Sequence, residues 1–448
     1  MKTNKNIFAL MVLLLNFINI SYFMIYLNHP PHLVMILCMA ITSIVALFFG
    51  HSWKELENGI VEGIRVGVRP IFLLLLIGIL ISIWIASGAI PTLLCYGINL
   101  ISPQWFTLNA LFISIIISTF SGSSLSTVAT VGVVLVGIAE GLNMPLAPVA
   151  GAIVCGSFFG DKISPISDTT NFAPGIVGIG PFEHIRSLLK TTIPALFLTI
   201  IFFYFIDEQT LSVDLTPIYE LKDVIEGHFF ISFFTLLSPL IILILAFLGI
   251  PSIPTIFLGI LVAIMTALLS QPHITLTQLP FILMDGHHFS GSNPLAEKIL
   301  NRGGLNSMLP STSLIFLSLC LGGLLTSAGI LETFLKLMIK LIKTPFQLVL
   351  FTGLSSIGVN FISGEQYLSI LLPAQSFLPL YDQFKVPRNI LSRTLEDCGT
   401  LINPIVPWGV CGIFVSSTLQ VPVLDYIRYS PFILLSPLFT FILAYRKK

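Results

Sequence analysis

Charge is what this sequence lacks. Only 9% of its 448 residues are Asp, Glu, Lys or Arg, against roughly 25% in a typical soluble protein. The 21 basic and 21 acidic residues cancel, so there is no basic field for nucleic acid. So few charges could not cover a soluble globule of 49.1 kDa. Cysteine is also sparse: Cys38, Cys95, Cys155, Cys320, Cys398 and Cys411 form no CxxC pair. The apolar composition excludes a secreted disulfide scaffold, and the scattered spacing gives zinc or redox chemistry little support; the six read as small core-filling side chains. Eight histidines show no HExxH spacing, and His287–His288 reads as a loop feature. No nucleophile–base or metal motif marks an enzyme.

What is abundant is apolar sequence: 55% hydrophobic residues, 36 of them Phe, and a mean hydropathy of +0.97. The reading is an all-α polytopic membrane protein. Apolar segments long enough to approach a bilayer crossing recur from Ile7 to the end, and about 12 spans are expected, several of them broken or re-entrant. The first follows Lys2 and Lys5 without a small-residue cleavage site, so it reads as a span and not a removed signal peptide. Lys54, Arg65 and Arg69, with Arg446, Lys447 and Lys448 at the end, read as cytoplasmic by the positive-inside rule. Residues 207–228 hold six acidic residues and one Lys and read as external. Both chain ends are therefore expected on the cytoplasmic side, and the location expected is the inner membrane.

Two halves of the chain resemble each other. Ser121–Gly122 matches Ser363–Gly364, Pro145 matches Pro387, and Gly160 with Pro165 matches Gly399 with Pro404, at offsets of 242, 242 and 239. The linker 91–104 has no Lys or Arg, while its counterpart holds Lys336, Lys340 and Lys343. The two linkers therefore face opposite sides, and the repeats are inverted. The organisation expected is membrane helices at 1–50, a first repeat at 51–206, a connection at 207–308 and a second repeat at 309–448.

Each half carries two polar interruptions in apolar sequence: 118–130 and 156–175, then 360–369 and 392–409. Gly and Pro there free backbone groups, which lipid does not tolerate unless protein or a wet cavity surrounds them. Asp161, Asp168, Glu365, Glu396 and Asp397 all fall in these interruptions. An acid inside the membrane costs roughly 2.5–3.5 kcal/mol on insertion scales, so it reads as functional. Carboxylates with Ser, Thr and Asn oxygens are hard ligands suited to an alkali cation. Asp161 and Lys162 are a candidate structural pair, although helix neighbours point about 100° apart. Glu332 and Lys336, four residues apart, read as a solvated pair.

GDKISPISDTTNFAPG (160–175) closely resembles the signature stretch of the NhaC-type sodium/proton antiporter family, which includes sodium-linked malate/lactate exchangers. IWIASGAIPTLLCYG (83–97) and LEDCGTLINPIVPWG (395–409) are similar too. The resemblance runs from about residue 50 onward. It implies paired re-entrant hairpins with tips at Ser121–Ser124 and Ser363–Glu365, and broken helices at Asp161–Asn171 and Glu396–Pro407.

The function expected is a secondary antiporter, with sodium moving out and protons in. Asp161 and Asp168 are the expected proton and sodium carboxylates, with Asp168 placed ahead because Thr169, Thr170 and Asn171 follow it. If the chain is unwound after Pro165, those consecutive oxygens converge on one ion. Ser164, Ser167, Thr169, Thr170 and Asn171 are neutral ligands or hinge-stabilisers. Ser121, Ser123, Ser363 and Glu365 lie at the tips. Glu396 and Asp397 are the counterpart acids, with Thr400 and Asn403 nearby. The second reading is an organic-acid exchanger using Arg393, Asn360 and half-helix N-termini to hold a carboxylate; an ion channel is a third. The expected partners are the lipid bilayer and small cations, with small organic acids under the second reading. A homodimer stays open, and no cofactor is expected beyond the transported Na+ and H+.

Overall fold

A 34-residue helix, Trp53–Ala86, sets the frame. It starts on a capping box in which Ser52 and Glu55 satisfy each other's backbone amides. At 1.5 Å per residue it is about 51 Å long, more than a bilayer core, and its polar first turns project beyond the apolar part that begins at Gly67. It runs against Leu309–Ser327 at backbone contact. A Cβ on Gly323 would lie 2.1 Å from the Gly59 carbonyl oxygen, and one on Gly63 would lie 2.3 Å from that of Leu319. Only glycine permits this approach.

The computed structural model describes residues 2–23, 31–100, 103–142, 144–165, 167–208, 216–248, 250–291 and 293–445. Among them all regular structure is helical, with short 3-10 and π turns. Seven helices are long and apolar enough to cross a bilayer, or ten if each of three sharply bent pairs is one span. The expected count of about 12 includes apolar helices such as Phe106–Ser121, which at 16 residues are shorter than a full crossing. Large apolar side chains such as Phe197, Leu261 and Met265 are exposed, as suits a multi-pass membrane protein whose outer solvent is lipid. Arg446–Lys448, residues 209–215 of the acidic loop and Ile166 of the signature stretch lie outside the described residues.

The same local conformations recur in the two halves. Phe106–Ser121 ends at Gly122 in the left-handed region (φ 63°), and Pro345–Ser363 ends at Gly364 (φ 69°). The next residue in each case, Ser123 or Glu365, is extended, and its side chain caps the returning helix. Pro145 and Pro387 each precede the helix that later breaks. The first breaks after Leu146–Ile163 and restarts as Asp168–Val177. The second passes from Arg388–Leu395 through a π turn, Glu396–Thr400, and a 3-10 turn, Asn403–Ile405, to Val410–Leu419. All six cysteines are free and buried, which fits the core-filling reading. Glu332 and Lys336 form the expected exposed pair.

Candidate functional site

The two tips and the first break enclose a cavity of about 240 Å³. Gly122, Ser123, Ser124 and Leu125 line it from the first tip, and Glu365, Gln366 and Tyr367 from the second. Asp161, Ser167, Asp168 and Thr169 come from the first broken helix, and Val410 from the second. Gly67, Arg69, Pro70 and Leu73 of the long helix, with Leu319, complete the wall. Segments far apart in sequence thus converge, as their polar interruptions imply.

Asp161 is buried on the last turns of Leu146–Ile163 and accepts a hydrogen bond from the Ser124 hydroxyl at 2.7 Å. This bond ties the first tip to the first break. Glu365 is buried at the second tip, where one carboxylate oxygen accepts from the Leu368 amide at 2.7 Å. Ser363 donates to the Val359 carbonyl and accepts from the Glu365 amide. Ser121 lies behind the first tip, 3.4 Å from the Thr127 hydroxyl. Asp168 sits at the open mouth, ion-paired with Arg69 at 2.9 Å, both side chains more than half exposed.

The unwound segment is shorter than expected. Ser167 caps a helix that restarts at Asp168, so Thr169, Thr170 and Asn171 point in successive helical directions and do not converge on one ion. Only Thr169 of the three lines the cavity. Thr170 donates to the Asp161 and Lys162 carbonyls, and Asn171 to those of Pro165 and Ser167. These two hold the break. Ser164 is buried there, and its hydroxyl has no partner among the described residues.

Lys162 does not pair with its neighbour Asp161. It reaches across the molecule to Asp397, forming an ion pair in which both side chains are at most 1% exposed. Asp397 also accepts from the hydroxyls of Ser436 at 2.8 Å, Thr191 at 3.0 Å, and Thr440. Its charge is fully committed, and it lies off the cavity wall. Asn403 donates to Asn360 and to the Gly364 carbonyl and accepts from the Cys411 amide, pinning the second break to the second tip. Glu396 and Thr400 are buried in the π turn, off the cavity. Sequence reasoning missed Arg69, although a charge beside Pro70 at the start of an apolar run was a visible signal.

Comparison with known proteins fixes the family. The model of the Na+/H+ antiporter family matches residues 5–170 and 156–447. The chain belongs to the Na+/H+ antiporter family. Its members are transporters and not enzymes. It is 46% identical over 425 residues to the Na(+)/H(+) antiporter NhaC of Bacillus subtilis, covering 94% of each chain. It is 43% identical over 422 residues to the NhaC of Alkalihalophilus pseudofirmus, covering 94% of this chain and 91% of that one. The malate-2H(+)/Na(+)-lactate antiporter of B. subtilis is 32% identical over 409 residues, covering 91% of this chain and 87% of that protein. The family resemblance of the 160–175 stretch therefore extends over nearly the whole chain.

Proposed function

We propose that this antiporter exchanges sodium for protons at the cavity between the two tips, with Asp161 as the coupling carboxylate. The observation that carries this reading is a buried acid, held by the Ser124 hydroxyl, on the wall of an oxygen-lined cavity. A carboxylate in such a place holds a proton or serves as an anionic ligand to sodium, but not both at once. Ser123, Ser124, Ser167, Thr169 and Glu365 offer further oxygens, a donor set suited to a hard cation. We place Asp161 ahead of Asp168, because Asp168 is already neutralised by Arg69 at the mouth.

Charge on the wall favours a cation over an organic anion. Asp161, Asp168 and Glu365 face a single Arg69. The groups that would recruit a carboxylate substrate are engaged or off the wall. Asn360 donates to the Gly399 carbonyl and accepts from Asn403. The helix N-termini at the tips and the first break are capped by Ser123, Glu365 and Ser167. Arg393 is buried away from the cavity.

The matched tips, caps and breaks support two inverted repeats, 51–206 and 309–448, flanked by 1–50 and joined by 207–308. Alternating access then moves the site between two faces of the inner membrane, with both chain ends cytoplasmic. Purified protein in proteoliposomes should produce a sodium-driven pH change with no organic acid present. Exchange seen only with malate or lactate would favour the organic-acid reading.

A further inference from the structure

The far end of the first hairpin is tied down by a pair that antiport at the cavity does not use. The arm returning from the first tip starts at Ser124, which holds Asp161, and runs through the π turn Val128–Gly132 to Gly141. Glu140 closes this arm, about 24 Å from Ser124 at 1.5 Å per residue. Its carboxylate accepts from Arg302 at 2.6 Å, with the Glu140 side chain 2% exposed and that of Arg302 19%. Arg302 belongs to the polar loop 286–304, which is docked on the long helix Trp53–Ala86. The Gly304 amide donates to the Gly78 carbonyl at 2.7 Å. A Cβ on Gly303 would lie 2.4 Å from the Ser82 amide nitrogen. Asn301 closes the loop through both backbone groups of Phe289. Arg302 therefore joins the frame to the arm that carries Ser124.

The second half has an equivalent acid in a different setting. Asp382 stands 242 residues after Glu140, the offset that relates the two tips, near the end of the returning arm Gln366–Gln383. It too is paired with an arginine, Arg388, through hydrogen bonds of 3.0 and 2.7 Å. Here both side chains are solvated, at 42% and 49% exposed. Arg388 opens the second broken helix, so this pair stays within its own half. Lys385 and Arg388 place the Asp382 end in the cytoplasm, and inversion places the Glu140 end outside. The cavity mouth at Arg69 is on the cytoplasmic side as well. The solvated pair thus marks the open face and the buried pair the closed one.

We infer that Glu140 and Arg302 form the latch that keeps the outer face shut while the cavity faces the cytoplasm, and that they part when the site turns outward. This rests on the reading of two inverted repeats with cytoplasmic chain ends. Two such repeats give a second state by exchanging their conformations, so Glu140 then becomes as solvated as Asp382 is here. A buried ion pair is no stronger a glue than apolar side chains of similar size. What suits it to a latch is that water replaces the contact on both partners once the face opens, whereas an apolar contact would resist opening.

The test is the sidedness of labelling. Leu73→Cys puts a thiol on the cavity wall. Full-length protein carrying it, in sealed proteoliposomes of known orientation, meets a membrane-impermeant thiol reagent from one side at a time. With the latch intact, labelling should come mainly from the cytoplasmic side. Adding Glu140→Gln should raise the outside rate at least about tenfold, because a buried charge then loses its partner in the closed state alone. Arg302→Lys, which keeps the charge, should leave the outside rate low. A purely structural role would lower the melting temperature without moving the label from one side to the other. In a second experiment, joining Glu140→Cys to Arg302→Cys with a short reducible thiol crosslinker should stop exchange while sodium binding in detergent persists, and reduction should restore exchange. An outside rate unchanged by Glu140→Gln overturns the inference, as does exchange by the crosslinked protein at the rate of the reduced one. Should Glu140→Gln not fold, the crosslink decides. Labelling of Leu73→Cys from the outside alone, with Glu140 in place, would show that the two faces are assigned the wrong way round; the sidedness reading fails then, and the latch with it.

Discussion

Replacing Lys162 by Met leaves Asp397 as an uncompensated charge in the centre of the protein. Both partners are at most 1% exposed, and the pair joins the first broken helix to the second. Removing one partner of a buried pair costs about 3–5 kcal/mol, because the other stays buried and charged. Three hydroxyls remain on Asp397, from Ser436, Thr191 and Thr440, so the lower end, about 3 kcal/mol, is the value expected here. The double variant Lys162→Met with Asp397→Asn removes both charges and keeps a side chain able to use those hydroxyls. It should regain most of the loss, with a coupling energy of about 3 kcal/mol, at the upper end of the range for residues in contact. Denaturation in detergent, followed for wild type, both single variants and the double, gives the full cycle. Additive losses, or a Lys162→Met protein as stable as wild type, would refute the claim that this pair locks the two breaks together.

The remaining predictions address backbone, pH and topology. Gly364→Ala forces a Cβ into the left-handed region, at about 1–2 kcal/mol, and places it 2.3 Å from the Ser318 hydroxyl oxygen; the melting temperature should fall, and an unchanged one would count against this tip geometry. His287, in the polar stretch outside the spans, is pushed down to about 4 by burial, opposed by the Leu300 carbonyl and reinforced by His228, His273 and His288. The folded state then binds fewer protons than the unfolded state between the two values. Stability is full above about pH 6.5 and declines by up to about 3 kcal/mol as pH falls toward 4. His287→Gln should flatten that slope, and an unchanged slope would place the titration elsewhere. A cysteine at Gln104 should label from outside and one at Lys343 from inside; labelling from the same side would end the inverted-repeat reading.

The tips were legible because their chemistry is local. A Ser-Gly pair closing an apolar run, repeated 242 residues later, is enough to mark Gly122 and Gly364 as turning points. Pro145 and Pro387 mark helix starts for the same reason. The length of the break was misjudged, although Ser167 followed by Asp168 is an ordinary helix start. Counting Thr169–Asn171 as unwound overlooked it. Long-range pairing was not legible at all. Nothing near Lys162 names Asp397, since the partner is set by how two broken helices cross. Arg69 was assigned to a cytoplasmic linker by the charge rule, which does not see that a long helix carries it down to the cavity mouth.

The central claim is that proton and sodium compete for Asp161. Sodium binding to the purified protein, measured across a series of pH values for wild type and Asp161→Asn, tests it directly. In wild type the apparent affinity should weaken steadily as pH falls through the range in which the carboxyl takes up its proton. Asp161→Asn keeps the shape but has neither charge nor titratable proton, so sodium binding and coupled exchange should both fall below detection while the protein still folds and inserts. Sodium binding by Asp161→Asn with the wild-type affinity and pH dependence would contradict the account.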